Sequence, residues 1–523
     1  MKPRKYKKGV DRQSMPLPST LDACIDPDNP ARAIDIYVDT LNLREMGFEY
    51  TEGELTTGQP PYPPASLLKL YIWGYLNRTN SSRRLELETY RNLEVIWLIQ
   101  GMQPCYRTIC SFRVHNKEAI NQVTADYISL CKELNLLGGD TVGIDSAFFE
   151  GDASKASIKT KKSLEKEINK LKHKVDQHLA KMDTKDQADE VESTELKDLE
   201  EQQQSCQDKI DSLNKSGETQ YSTTDKDARL LIKRTDKGPT AGYSLHTAVD
   251  EKNKLIVAHE VVNDGNDSQQ LANIAIKAKD AMGVEKLNAL ADGSYYNQQK
   301  IKECIDVNVI PYVPVAQRNR SASEGKRFKR DDFQYNPETD TYTCPAGEPL
   351  KHHKSQDKNG KIMKGYSSTA KHCAGCSMRE QCLPEKTPYR QIYRWEYEEI
   401  VDEHKERMAR EGKEQMQKRA ALAEHPFGTL KLWLGWTHLL LRGFEKVRAE
   451  MNLLITSYNF KRVLNIIGVE AFCAYCKQRN RTAKIEDKEA ILSYFWSILV
   501  TLLMIFDFIL SPRASLVNFT YST

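Results

Sequence analysis

Net charge is almost absent from this chain. Its 76 Lys and Arg face 73 Asp and Glu, which leaves +3 over 523 residues. Bulk charge therefore gives no sign of a nucleic-acid partner, and only local clusters can. Two such clusters are MKPRKYKKG at the N-terminus and QRNRSASEGKRFKR at 317–330. Each suits a phosphate backbone and equally suits a solvated surface. No secretory leader is expected, because the basic, proline-bearing start is not followed by an apolar core. Twelve cysteines are scattered along the chain. A reducing cytoplasm is the expected home, so the cysteines should be free thiols or metal ligands. Long apolar runs are scarce. The one that approaches a membrane span, ILSYFWSILVTLLMIFDFIL at 491–510, carries Asp507. It reads as a buried C-terminal helix, and no membrane partner is expected.

What remains is ordinary globular material, 39% hydrophobic and 28% charged, long enough for about two to four domains. Up to about Leu137 the periodicity is helical, with helices predicted over Ser66–Leu76, Arg83–Leu93 and Lys117–Leu134. Between the last two, PCYRTICSFRVH at 104–115 suits a helix-turn-helix that offers Arg107 and Arg113 to DNA, or a plain bundle. At Thr141 the pattern becomes that of a strand, TVGIDSAFFEG. Residues 157–216 then repeat apolar positions at steps of three and four in two runs: Leu164, Ile168, Leu171, Val175, Leu179 and Met182, then Leu196, Leu199, Cys206, Ile210 and Leu213. These predict an antiparallel helical hairpin, read as a spacer or dimer contact. Gly242–Asp264 reads as two strands around a turn at Asp250–Lys254. A helix over Ser268–Met282, a strand ending at Asp292, a short helix and a strand VIPYVPV follow. That order suits a mixed sheet with helices on its faces. From Ala316 to about Arg394 periodicity is lost and no hydrophobic core is evident. An amphipathic helix over Tyr397–Ala423 and a second, strongly apolar helix come after it.

Two acids have the context of a catalytic anchor. Asp145 sits inside a hydrophobic strand, and Asp292 closes another before the turn GSYY. A strand-borne carboxylate is costly to bury without a cation, and acids at strand ends are well placed for a site. Two-metal phosphoryl transfer needs three or four such carboxylates on different elements. Taken singly, each acid could equally be a cap or turn residue.

The segments GIDSAFFEG, YSLHTAVDEKNKLIVAHEVVNDGND, ALADGSYYN, EHPFGTLK and LLLRGFEKVRAEMNLLITSYNFKR, with PPYPPASLLKLYIWGYLN and YRTICSFR upstream, resemble insertion-sequence DDE transposases. The resemblance lies within the IS-four-like superfamily and is greatest to the IS-eleven-eighty-two type. It implies an α/β fold: an RNase-H-like mixed-sheet catalytic core with a helical N-terminal domain, a helical-hairpin insertion and a cysteine-bearing insertion. The expected boundaries are 1–138 for the N-terminal DNA-binding domain, 139–156 and 217–315 for the core, and 157–216 for the hairpin. The cysteine insertion takes 316–394, the helices carrying the catalytic Glu 395–482, and the apolar tail 483–523. Carried over by position, the catalytic metal ligands are Asp145, Asp292 and Glu424, holding two Mg²⁺ or Mn²⁺ ions. Lys431, seven residues after Glu424, matches the Lys of the family's tyrosine-arginine-glutamate-lysine signature. The signature's Arg position holds Ala420, with Arg419 beside it, and its Tyr position holds Gln417. Arg442 is a candidate contact to DNA backbone or the partner of a neighbouring acid. Asp267 reads as a helix N-cap or an auxiliary ligand.

The implied activity is cleavage of the element's ends and their joining to target DNA. The partners are double-stranded DNA, as terminal inverted repeats and target, and further copies of the chain. The implied place is the cytoplasm, at the nucleoid. An inactive DNA-binding remnant or regulator, or a nuclease that cuts without joining, are the alternatives. Separately, Cys344, Cys373, Cys376 and Cys382 have the spacing of one structural Zn²⁺ site, with His352, His353 and His372 as substitute ligands. Free thiols in a loop are the other reading. The pair Cys473 and Cys476 is read as structural.

Overall fold

The computed structural model describes residues 19–49, 60–182, 190–232, 238–315, 327–358 and 360–481. The N-terminal basic run, most of the 317–330 cluster and the apolar 491–510 segment lie outside the described residues. Among the described residues no helix is long and apolar enough to cross a membrane. The chain divides into two units, 1–123 with 459–523, and 124–458. The first break falls inside the sixth helix, short of the expected boundary at 138.

The first unit is helical: α1 (Pro30–Asp39), α2 (Pro64–Leu76), α3 (Ser82–Arg91), α4 (Leu93–Leu98), α5 (Tyr106–His115) and the start of α6 (Lys117–Glu133). Asn29 and Asn92 cap α1 and α4 through their side-chain oxygens, satisfying amides with no intrahelical partner. Helix α2 is buried over the whole of Leu67–Tyr75, as expected of a central helix that is apolar all round. Its Lys69 is tolerated there because Asp35 and Asp39 hold it at 2.6 and 2.7 Å. Phe460 and Phe472 pack on Tyr37 in the same unit.

The second unit is built on a mixed sheet. Its strands are β1 (Thr141–Glu150), β4 (Arg229–Leu231), β5 (Thr240–Asp250), β6 (Ile256–Val262), β7 (Leu287–Leu290) and β8 (Val309–Tyr312). The order is β6-β5-β1-β7-β8, with β4 sharing the edge of β5 with β6. Strands β6, β5 and β1 are antiparallel neighbours, whereas β7 and β8 run parallel to β1. This mixed α/β arrangement is consistent with an RNase-H-like core.

Alternation along β1 divides its side chains between two layers. Val142 and Ile144 join the core under α9 (Leu271–Met282) and α10 (Gln298–Asp306). Gly143 meets α13 (Glu398–Gly428) on the other face, where a Cβ at Gly143 would stand 2.7 Å from Leu422 Cβ. Between β1 and β5 the chain makes an excursion through β2 (Ile158–Thr160), α7 (Lys161–Met182), α8 (Glu190–Ser216) and β3 (Gln220–Ser222). Helices α7 and α8 pack along Leu164, Ile168, Leu171, Cys206, Ile210 and Leu213. Lys161 Nζ donates to Asn214 Oδ1, 3.1 Å, so the start of α7 meets the end of α8. Farther along α7, Leu179 is exposed.

The stretch that shows no periodicity is folded. It holds β9 (Gln334–Asn336), β10 (Thr341–Thr343), β11 (Pro349–Asp357), β12 (Ile362–Ser367) and β13 (Gln391–Trp395). These form one antiparallel sheet in the order β13-β12-β11-β10-β9. Its core is Phe333, Tyr342, Leu350, Tyr366 and Ile392, which corrects the expectation that no core exists here. Strands β9 and β10, of three residues each, are too short for alternation to register, and β11 is exposed along most of its length. Two short helices, α11 (Ala370–Ala374) and α12 (Arg379–Cys382), lie in the connection from β12 to β13.

Helix α13 also runs past its predicted end at Ala423, through Pro426, to Gly428. A π-helical turn over Thr429–Trp433 follows, in which Leu434 N–H donates to Thr429 O at 2.8 Å. Such turns absorb a local break in the α pattern. Helix α14 (Phe444–Ile467) carries buried Glu450. The carboxylate of Glu450 accepts from the backbone N–H groups of Leu440 and Leu441. That fixes the strap through which Thr437 and Leu439 bond Glu150, at the end of β1.

Candidate active site

The central strand delivers the first acid. Asp145 pairs with Thr247 of β5 in register, and its Oδ1 accepts from Ser146 N–H at 2.8 Å. Asp292 follows the neighbouring parallel strand β7 and caps the one-turn helix Gly293–Tyr295, accepting from Ser294 N–H at 2.9 Å. Ser294 Oγ also donates to Asp292, and to Asp267 Oδ2 at 3.0 Å. Ser146 Oγ donates to Asp267 Oδ1 at 3.2 Å. Three carboxylates are thus linked through two serines. Asp267 does not cap the helix after β6; the neighbouring Asn266 side chain accepts from Ser268 N–H and does so. That leaves Asp267 turned toward the other two acids.

A guanidinium lies between the first two. Arg419 Nη2 stands 2.9 Å from Asp145 Oδ1 and 3.8 Å from Asp292 Oδ2. Its Nε is buried without a hydrogen-bond partner, as is Oγ1 of Thr247, opposite Asp145. Beneath the acids, Tyr295 and His246 are fully buried and bonded to each other, His246 Nδ1 to Tyr295 Oη at 2.7 Å. Burial, reinforced by the charges of Asp267, Asp145 and Asp292, holds the Tyr295 phenol well above its usual range. Burial also pushes the His246 imidazole down to about 4. Both groups are therefore neutral near pH 7. The neutral imidazole has one N–H, and the Asp267 carboxylate 3.7 Å from its Nε2 favours that proton there. Nδ1 then accepts from Tyr295.

Glu424 stands apart from this cluster. It is exposed on α13, five residues beyond Arg419, and so about 140° round the helix from it. Lys431 lies in the π turn; its Nζ donates to Phe148 O at 2.6 Å and sits 4.8 Å above the Phe149 ring. It therefore touches the same strand as Asp145. Arg442 is exposed, its Nε donating to Asp152 Oδ2 at 2.8 Å. In the first unit, Arg107 is exposed beside Tyr106. Arg113 is buried, donating to Tyr75 Oη at 2.8 Å and lying over the Tyr71 ring. In this arrangement its guanidinium serves the helical core and is withheld from solvent.

Among the described residues no three His, Cys, Asp or Glu side chains are posed to hold a metal ion together. The donor chemistry nonetheless suits Mg²⁺, which takes hard oxygens and keeps several waters. Asp145, Asp292 and Asp267 supply such oxygens. The buried, unpartnered Arg419 Nε and Thr247 Oγ1 mark polar groups beside them that a hydrated ion or phosphate would satisfy.

Residues 19–115 match the family described as a transposase domain (DUF772), and residues 343–464 match the transposase DDE domain family. Both matches are to transposase families. The second matched segment contains Arg419, Glu424, Lys431 and Arg442, whereas Asp145 and Asp292 lie between the two matches. No curated protein matches the chain. One solved structure, a piggyBac transposase synaptic complex with hairpin DNA, aligns over 88% of this chain and 83% of that one. Its identity is 8% and its TM-score 0.29.

Proposed function

We propose that this chain is a transposase that cuts DNA at the ends of its insertion sequence and joins them to target DNA by metal-dependent phosphoryl transfer. The observation that carries this reading is the placing of Asp145, within β1, and Asp292, just beyond the adjacent parallel strand β7, against one guanidinium, that of Arg419. Asp145 and Asp292 would hold the divalent ions, with Asp267 and Glu424 as the further carboxylates available. Bound there, Mg²⁺ supplies activation of the attacking oxygen and stabilisation of the leaving one.

The chain's own residues do the rest. The sheet fixes Asp145, and the cap geometry fixes Asp292. Ser146 and Ser294 orient the carboxylates by hydrogen bonding. Arg419, once released from the acids, supplies a planar cation for the non-bridging phosphate oxygens. In the first step a water oxygen bonds to phosphorus, the bond to the 3′ oxygen breaks, and that oxygen leaves as a hydroxyl. In the second step the 3′ hydroxyl oxygen bonds to a target phosphorus in line and loses its proton, while the target's own bond from phosphorus to its 3′ oxygen breaks and that oxygen leaves as a hydroxyl. Neither step needs a covalent protein–DNA bond. The helical first unit would bind the element's ends, with exposed Arg83 and Arg107 flanking Tyr106 as its candidate phosphate contacts. Copies of the chain would bring two ends together.

The test is nicking of end-containing DNA with Mg²⁺. D145N and D292N should each lower the rate by of the order of 10²–10³ while keeping end binding, and E424Q tests the third ligand. Undiminished cleavage by both Asp variants would sink the assignment.

A further inference from the structure

The second constellation lies in the antiparallel sheet lobe, away from the acids. Cys344 follows β10, Cys373 lies on α11, Cys376 in the turn after it, and Cys382 ends α12. None is in a disulfide. These four cysteines, and no others, line one cavity of about 30 Å³. That is room for a single ion or water. We propose that Cys344, Cys373, Cys376 and Cys382 hold one structural Zn²⁺ ion that clamps the β12–β13 connection onto the turn after β10.

The backbone around the cavity is shaped for thiolates. The chain turns tightly at Cys344: Gly347 N–H donates to Cys344 O at 2.8 Å, and Cys344 N–H to Glu348 O at 2.9 Å. Glu348 N–H is thereby aimed at Cys344 Sγ, 3.3 Å away, an amide donor that suits a negatively charged sulfur. The turn needs φ of +85° at Gly347, which a side chain would strain.

Charge is balanced as well. A zinc ion with four thiolates carries a net −2, and two arginines line the same cavity. Arg379 is held by Cys373 O and Thr387 O, and Arg390 by Cys382 O and Phe328 O. His372, the remaining nitrogen ligand on the wall, is paired with Glu348 at 3.2 Å; His352 and His353 do not line the cavity. Four sulfurs are the set left for the ion. Ligation at about 2.3 Å would draw all four side chains inward from their present positions.

There is a structural reason for the clamp. The lobe's core is five residues, against which Cys344 and Cys382 pack. A core that small does not by itself hold a lobe of this length, and bound metal contributes folding energy directly.

The test uses the full-length protein purified without chelators. Elemental analysis should find one zinc per chain. C373S and C376S should lose it, and C105S, which changes an exposed cysteine elsewhere, should keep it. If the cysteine variants do not fold, cobalt added to zinc-stripped wild type gives a separate readout. Sulfur-to-cobalt charge-transfer absorption of four thiolates is expected. Zinc-free wild-type protein, iron in place of zinc, or cobalt spectra without sulfur bands would overturn the proposal.

Discussion

Arg419 makes the site self-neutralising. One guanidinium serves two carboxylates on separate elements, and its own side chain is mostly covered. A divalent ion must compete with it, because both cations seek the same oxygens. A charge-assisted hydrogen bond contributes about 1.5–3 kcal/mol, so R419A should lower the Mg²⁺ concentration for half-maximal nicking by about tenfold or more. Its maximal rate should fall at the same time, since the phosphate loses a cation. A metal titration of nicking reads both numbers, and an unchanged or higher Mg²⁺ requirement contradicts this role.

The residue scale is also where the sequence was least legible. Asp145 and Asp292 stood out because each closes or sits within a short apolar strand. Asp267 did not, since Asn266 beside it is as good a cap and only the fold decides which one caps. Arg419 reads in the sequence only as the neighbour of the family's arginine position, because helical spacing alone does not say which of two adjacent residues faces a strand.

At the scale of elements, the contact of α13 with β1 positions Arg419. It depends on Gly143, where no side chain fits beneath Leu422. G143A would place a methyl group 2.7 Å from Leu422 Cβ and push the helix off the strand. Overpacking of this kind costs about 1–3 kcal/mol. Urea denaturation should show that loss, with nicking reduced further because the helix carries Arg419. Wild-type stability in G143A would mean that the helix yields at no cost. The extent of α13 was not readable beforehand. Pro426 and Gly428 argue against helix, yet Pro426 is accommodated and the π turn takes up the irregularity beyond it. The five-stranded sheet was hidden for a different reason. Two of its strands have only three residues, and β11, the longest, is exposed along most of its length, so no apolar alternation marks it.

Over the whole molecule, buried imidazoles set the response to acid. His246 and His404 are both fully buried, and burial lowers both, His246 to about 4 from 6.5. Each is neutral in the folded chain and protonates more readily once unfolded. Their stabilisation is complete above about pH 6.5 and is lost as pH falls toward 4, with His246 worth of the order of 3 kcal/mol at most. Urea midpoints followed through this range should decline, and H246N should flatten the decline. An identical pH profile in H246N would remove His246 from the explanation.

The excursion between β1 and β5 bears on how the sheet assembles. Antiparallel neighbours are usually joined by a short turn, but here β2, α7, α8, β3 and β4 intervene. Closing so long a loop in one step is slow, because chain entropy is lost before the strands meet. The hairpin offers a route in stages. Helices α7 and α8 share a core of their own and can zip locally. That brings Ile158 beside Ser222, the β2–β3 pairing at the hairpin's base. Once that clasp closes, residues 151–157 and 223–241 are all that separates Glu150 from its partner Gly242. The hairpin therefore works as a kinetic shortcut, turning one distant encounter into a run of near ones.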